Sequence, residues 1–437
     1  MQHKITAKAN GLIDPDCLSY IQEIVLLRSC EGKRYREIAT ESGYDYDYVK
    51  EVGFQLWKTL SQLLGRKVTK KTARMLLAEL DDPILLNAPI LAKAPLPRVI
   101  EFPNSPVAID SRFYLERSAL ESLAYREILK PGGLLQIRAP RQMGKTSLVL
   151  RLVAYAQSQG MVPVLLDFQS ADRRVFRKLD DFLRWLCIQV SRQVNLEPQL
   201  DKYWDEESGS KSSCNVYFQM FLLDQAKKPI VLILDEVTPL FEYPELAKDV
   251  LPLFRIWHEL AAQHPIWQKL RLVVVRNIEL YVPLNVYQSP FNVGVPIDLS
   301  AFDVHQSFQL AQCYELERLN EPDLNSLNTL VGGHPYLLQL AFYWLKQNIP
   351  IESILKEAAT DAGIYGHVLK RQWNGLQQSP NLLAAFRKIL DDSEAVTLEL
   401  ITAYQLESLG LVKWNGNQVK VCCPLYQVYF ENLLCSE

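Results

Sequence analysis

Residues Ala139, Pro140, Arg141, Gln142, Met143, Gly144, Lys145 and Thr146 have the spacing of a phosphate-binding loop, and Ser147 follows the hydroxyl position. In the pattern GxxxxGK[ST], loop amides and the positive end of the following helix cradle a phosphate chain. The lysine reaches the outer phosphates, and the hydroxyl ligates Mg²⁺. Gly144, Lys145 and Thr146 fill those three positions. Ala139 stands where glycine usually opens the loop, and one methyl fits at a strand end as long as φ stays negative. The alternative is an ordinary strand-to-helix turn with a surface lysine.

A second constellation is VLILDEV at 231–237, in which four apolar residues run into Asp235 and Glu236. At the end of a strand beside the loop, Asp235 can hold Mg²⁺ through water and Glu236 can polarise the attacking water. A strand followed by an acidic helix start looks the same, so the weight comes from pairing with the upstream loop. Arg276 and Asn277 end another apolar run and could contact the outermost phosphate; a solvated strand end is the other reading. In VGGHPYLLQ, Gly332, Gly333, His334 and Pro335 make a tight corner between helices, which structure alone would explain.

Positioning these groups requires strands that end at one edge. LLQIRA (134–139), VPVLLDF (162–168), IVLILD (230–235), LRLVVVR (270–276) and VGVPIDL (293–299) read as strands, separated by helical stretches at 144–158, 175–194 and 244–263. Apolar runs rich in β-branched residues, alternating with helices, predict a parallel sheet covered on both faces. Six prolines between Pro83 and Pro106 predict an extended linker. Before it, residues 16–80 read as helices, with Leu18, Ile21, Ile24 and Val25 on one side. A short helix at Tyr35–Glu41, a turn at Gly43 and a longer helix from Asp47 to Leu64 give a helix-turn-helix pattern. From Asp303 to Ala362 the pattern is again helical. The end reads as helix, strand, Asn415-Gly416 turn and second strand, the order of a winged helix.

Net charge over the 437 residues is −3, so no global basic field marks a nucleic-acid or membrane partner. The longest apolar runs are too short to span a bilayer, and MQHKITAKANGL lacks an apolar signal core. The eight cysteines form no CxxC pair and have no histidine at metal spacing, which suits reduced thiols in a cytoplasmic protein; Cys422 and Cys423 are adjacent in a strand-like run.

Residues 104–433 resemble the bacterial AAA-like ATPase domain family, related to the STAND signal-transduction ATPases. The resemblance rests on SPVAIDSRFYLER, ILKPGGLLQIRAPRQMGKTSL, LILDEVTPLF, YVPLNVYQSPFNVGVPIDLSAF, GGHPYLLQ and LESLGLVKWNGNQV. It implies an α/β P-loop NTPase core followed by a helical lid and a winged helix, with ATP and Mg²⁺ as cofactors. It further implies that Phe113, Tyr114 and Arg117 line the adenine side and that Gly333, His334 and Pro335 meet the nucleotide from the lid. Two departures stand out: DEVT at 235–238, where relatives tend to carry a further acid, and Arg276-Asn277 in place of a small polar pair. Residues 16–80 resemble the N-terminal helix-turn-helix of vWA–MoxR-associated proteins. The implied organisation is helix-turn-helix 1–82, linker 83–105, ATPase core 106–302, lid 303–365 and winged helix 366–437.

Around the second helix, Tyr44, Asp45, Tyr46, Asp47, Lys50 and Glu51 bring three carboxylates to where a DNA-reading helix would meet phosphates. RKVTKKTAR (66–74) is the one basic patch. A protein partner at this module is therefore the expectation, with nucleic acid the alternative. The expected activity is a slow ATP hydrolase acting as a signalling switch, with Lys145, Glu236, Arg276 and Asn277 in catalytic roles and Thr146 and Asp235 holding Mg²⁺. No arginine finger can be assigned within the chain, which points to a nucleotide-dependent homo-oligomer. The competing readings are an ATP-regulated DNA-binding regulator with negligible hydrolysis and a scaffold that binds no nucleotide.

Overall fold

Two compact units, Met1–Ser105 and Pro106–Glu437, make up the chain in a computed structural model. The structure describes residues 24–26, 28–29, 31–42, 46–63, 68–72, 100, 102–103, 106–277, 292–316, 319–392 and 394–434. In the first unit, α1 (Tyr35–Ser42) and α2 (Tyr46–Leu63) pack through Ile38, Val49, Leu56 and Trp57, whose Nε1 donates to the Tyr35 hydroxyl at 2.7 Å. Gly43, the Pro-rich linker apart from residues 100, 102 and 103, and residues 66, 67, 73 and 74 of RKVTKKTAR lie outside the described residues.

In the second unit, α3 (Ser118–Leu129) leads into β1 (Leu134–Arg138). Next come α4 (Lys145–Ser158), β2 (Val162–Asp167), α5 (Leu179–Gln193), α6 (Ser210–Tyr217), β3 (Ile230–Asp235), α7 (Pro244–Gln263), β4 (Leu270–Arg276) and β5 (Val295–Asp298). The five strands are parallel, in the order β2-β3-β4-β1-β5. Strand β4 therefore lies between the strand that leads into the loop and the strand that ends in Asp235. Register carries the arrangement to the strand ends, with Arg138 opposite Arg276 and Leu234 opposite Val274.

Alternation along the strands divides the apolar residues between two cores. Leu135, Ile137, Val231, Ile233, Val273 and Val275 pack with α3 and α4. Leu134, Leu232, Leu234, Leu272 and Val274 pack beneath α5, α6 and α7. Trp257 anchors the second core. It lies 4.2 Å from the Phe218 ring and 5.9 Å from the Trp267 ring, centroid to centroid, and its Nε1 donates to Asn215 Oδ1 at 2.7 Å.

Beyond the sheet run α8 (Val304–Cys313), α9 (Glu321–Val331), α10 (Pro335–Lys346), α11 (Ile351–Glu357), α12 (Gly366–Gln377), α13 (Pro380–Leu390) and α14 (Leu400–Ser408). The antiparallel hairpin β6 (Val412–Asn415) and β7 (Gln418–Val421) turns at Gly416, whose φ is +63°. A final helix, α15 (Pro424–Leu434), follows; the sequence reading ended on a strand there. Cys422 and Cys423 thus stand between a strand and a helix rather than inside a strand. Pro424 at the first helical position suits the start of α15, and Leu425, Tyr426, Tyr429 and Phe430 give it a buried face. Among the described residues no helix is long and apolar enough to cross a membrane.

Trp257→Ala is expected to destabilise the second unit by about 3–5 kcal/mol, the usual cost of emptying a buried tryptophan site. Denaturant unfolding monitored by circular dichroism measures it, and a loss below about 1 kcal/mol would contradict this packing.

Candidate nucleotide-binding site

Lys145 opens α4 directly after Gly144, whose φ of +98° is natural for glycine and strained for any other residue. No side chain caps this helix start, so its first amides face the loop without a side-chain partner. Gln142 also has a positive φ, +62°, whereas Ala139 keeps a negative one and is buried against the α3–α4 core.

Lys145 is only 5% exposed. It donates to the carbonyls of Ala139 (3.1 Å) and Pro140 (3.0 Å) and to Asn277 Oδ1 (2.7 Å). Burial pulls its pKa down, and the charges of Glu236 and Asp235 push the other way. Asn277 in turn donates from Nδ2 to Thr238 Oγ1 at 3.4 Å. The order β3-β4-β1 explains this convergence, because Asn277 follows the central strand with the lysine on one side and the acids on the other. Thr238 went unnoticed as a site residue, since its partner is a neighbour only through strand order.

Asp235 is buried at the end of β3, where one carboxylate oxygen accepts from the Glu236 amide at 2.9 Å. Burial first, and the Glu236 charge second, push its pKa up to about 6. Glu236 has a φ of +50°, a sparsely populated conformation for glutamate, and its Oε2 is buried with no hydrogen-bond partner among the described residues. Arg276 is buried and shares the sheet face of Val274 by alternation.

Other candidate residues reach the loop from outside the sheet. Arg117 donates to Met143 O (3.2 Å) and Ser300 O (3.1 Å) and stacks over the Phe302 ring. Gly333 accepts from Phe302 N at 2.8 Å. His334 meets the backbone of Arg141; burial holds its imidazole down at about 4, and Nδ1 has no partner among the described residues. Pro335 is buried as the first residue of α10. A cavity of about 770 Å³ opens beside this part of the loop, lined by Pro140, Met143, Ser300, His334, Glu407 and Trp414 among others.

Three further candidates are engaged with neighbouring residues. Phe113 stacks on Tyr314, with 4.3 Å between centroids. Tyr114 donates to Glu121 Oε1 at 2.7 Å beneath the Arg151 guanidinium. Ser147 Oγ accepts from Val107 N at 2.9 Å and so ties residues 106–109 to α4. The Thr146 side chain is partly exposed in the first turn of α4.

Residues 102–432 match the family model described as AAA-like domain, and residues 14–80 match the one described as vWA-MoxR associated protein N-terminal HTH. No curated protein matches the chain. A solved Walker-type ATPase of Pyrococcus abyssi superposes with a TM-score of 0.50 at 14% identity, covering 73% of this chain and 96% of that one. The Aeropyrum pernix ORC2 protein in its ADP form gives 0.42 at 15% identity, covering 76% and 96%. The ORC1 protein of the same organism, in complex with DNA, gives 0.36 at 14%, covering 75% and 97%. The first likeness, with the family match, shows a P-loop ATPase-like fold, and that fold implies nucleotide binding.

The raised Asp235 pKa has a consequence for stability. Between its ordinary 3.8 and about 6, the folded protein holds a proton that the unfolded chain has released. The group therefore favours folding at acid pH, and that contribution is lost as pH rises through about 6. Asp235→Asn should accordingly melt higher than wild type at neutral pH in metal-free buffer. The advantage should shrink as pH falls below about 6, and thermal melts across pH test both statements.

Proposed function

The chain belongs to the AAA-like domain family, and from that premise we propose that it is an ATP-binding, slowly hydrolysing switch whose nucleotide state is passed to the lid and C-terminal helices. The observation that carries this reading is the convergence of Lys145, Asn277, Asp235 and Glu236 at the adjoining ends of β1, β4 and β3, beside the uncapped start of α4. Lys145 would bind the outer phosphates, and Asn277 would hold the lysine and sense the terminal one. Glu236, with one carboxylate oxygen free of protein partners among the described residues, is suited to orient and deprotonate the attacking water.

The Thr146 hydroxyl and the buried Asp235 carboxylate are the residues that would hold a Mg²⁺ ion, which would supply charge neutralisation to the phosphates. The adjoining cavity suits the base and ribose. Its walls come from the loop, from the corner at Gly332 and His334, and from Glu407 and Trp414, so binding there would draw these parts together. We read the last part as a winged helix that closes on the nucleotide.

For the N-terminal helices we favour a protein partner. Two basic residues available to a phosphate backbone, Arg36 and Lys70, are held over the Tyr46 and Tyr35 rings at 5.4 and 4.1 Å. Phe54 is 60% exposed on α2, which suits an apolar contact.

Glu236→Gln is expected to keep ATP binding and to cut phosphate release by about 100-fold or more, the low end of what a lost general base costs. Lys145→Ala should lose binding itself. Fluorescent-nucleotide titration and a phosphate-release assay read the two separately. Fast turnover that does not depend on protein concentration would rule out the switch.

A further inference from the structure

Every residue of the C-terminal hairpin that lines the cavity of about 770 Å³ belongs to β6 or to the turn: Val412, Lys413, Trp414, Gly416 and Asn417. None comes from β7. The cavity therefore lies along the edge of β6 that β7 leaves free. The phosphate loop lines it as well, through Pro140 and Met143. Loop and hairpin meet at the hairpin's base, where a methyl group at Gly410 would lie 3.6 Å from Pro140 Cβ. Pro140 O is one of the carbonyls that accept from Lys145 Nζ, at 3.0 Å.

Two features of this edge are costly as they stand. The first is charge. Register sets Lys413 directly opposite Lys420, on the face that alternation turns away from the buried Val412 and Val419. Like charges across a rung destabilise a hairpin. Both lysines are exposed, and neither has an ion pair or a side-chain hydrogen bond among the described residues. Asn415 and Gln418, the next rung on that face, carry no charge.

The second is unpaired backbone. The Cys422 amide donates to Leu411 O at 2.9 Å, which fixes the alternation along β6. Lys413 and Asn415 turn their amides toward β7, and Val412 and Trp414 turn theirs toward the free edge. No hydrogen bond among the described residues takes either of these two amides, and Val412 is only 2% exposed. An amide in such a place without an acceptor is expensive to keep. The two acids that line the cavity are already engaged: Glu407 accepts from Trp414 Nε1 at 2.7 Å, and Asp298 is held by two hydrogen bonds from Arg138 at 2.6 Å.

We infer that Lys413 and the free edge of β6 form an anion subsite that takes the phosphate chain of a nucleotide held by the loop. The inference rests on the nucleotide reading above and gives the hairpin the role of sensing phosphate charge. An ammonium and two amides, with no acid on their face, suit phosphate oxygens. The same charge would relieve the repulsion between Lys413 and Lys420. A triphosphate therefore ties the hairpin to the loop more firmly than a diphosphate, and loss of the terminal phosphate loosens it.

Hydrogen exchange of the hairpin and nucleotide affinity, both measured on the full chain with ATPγS and ADP as probes, test the subsite. In wild type, ATPγS should slow exchange across 411–421 more than ADP does. Lys413→Gln, which keeps the length of the side chain and removes its charge, should lose that protection. It should also bind ATPγS about tenfold more weakly, the worth of one charged hydrogen bond. Lys413→Arg should restore both. Without nucleotide, Lys413→Gln and Lys420→Gln should each melt no lower than wild type, because the rung is relieved. A lysine with a merely structural role would make them melt lower. Equal ATPγS affinity in wild type and Lys413→Gln, with the hairpin still protected, would overturn the subsite and leave nucleotide binding standing. Wild-type protein that binds neither probe would remove the nucleotide reading itself, and the subsite with it.

Discussion

A lysine ammonium enclosed in protein is the constraint around which the rest of this molecule is arranged. Taking a cation out of water is expensive unless oxygen ligands and opposite charge replace the solvent. Lys145 receives two loop carbonyls, one amide oxygen from Asn277 and the field of two carboxylates. Those acceptors and charges come from the loop itself and from the ends of β4 and β3. The strand order with β4 in the middle is what makes them neighbours. A shift of one residue in the β1–β4 register would move Asn277 away from the lysine and leave its charge short of an acceptor.

The loop's outward groups are engaged as well. Arg117 takes the Met143 carbonyl, His334 meets the Arg141 backbone, and between these contacts Gln142 is held at a positive φ. Gly333 fits there only because it lacks a side chain: a methyl group would lie 2.1 Å from the Phe302 carbonyl oxygen. The corner at Gly333 and His334 therefore meets Phe302 and the Arg141 backbone with no room for a further atom at Gly333. Close packing of this kind tends to have two discrete arrangements rather than a continuum.

The parts of this arrangement legible in the sequence are those with a local cause. IVLILD and LRLVVVR announce buried strands by unbroken β-branched and aliphatic runs, and Gly144-Lys145-Thr146 announces its turn by residue type. The helix α15 was hidden because Val421, Cys422 and Cys423 continue the look of a strand up to Pro424, although Leu425, Tyr426, Tyr429 and Phe430 keep helical spacing. Contacts that depend on topology could not be read at all. Nothing around Phe113 and Tyr114 in the chain foretells that the first stacks on Tyr314 and the second lies beneath Arg151. Ser147 follows the loop threonine and still spends its hydroxyl on Val107, 40 positions away.

Thr238 shows how a departure in sequence can belong to the same electrostatic problem as the lysine. The carboxyl of Asp235 is already pushed up to about 6 by burial and by Glu236, and Asp167 adds to that pressure from the end of β2. A third acid at 238 would put another negative charge beside this group and raise that pressure further. Threonine offers Asn277 Nδ2 an uncharged acceptor at 3.4 Å instead. The asparagine is thereby oriented with its oxygen toward the ammonium and its nitrogen away from it, the only orientation in which it can ligate a cation. Position 238 thus acts through Asn277 on the lysine, by giving the amide nitrogen an uncharged acceptor and sparing Asp235 a further negative neighbour.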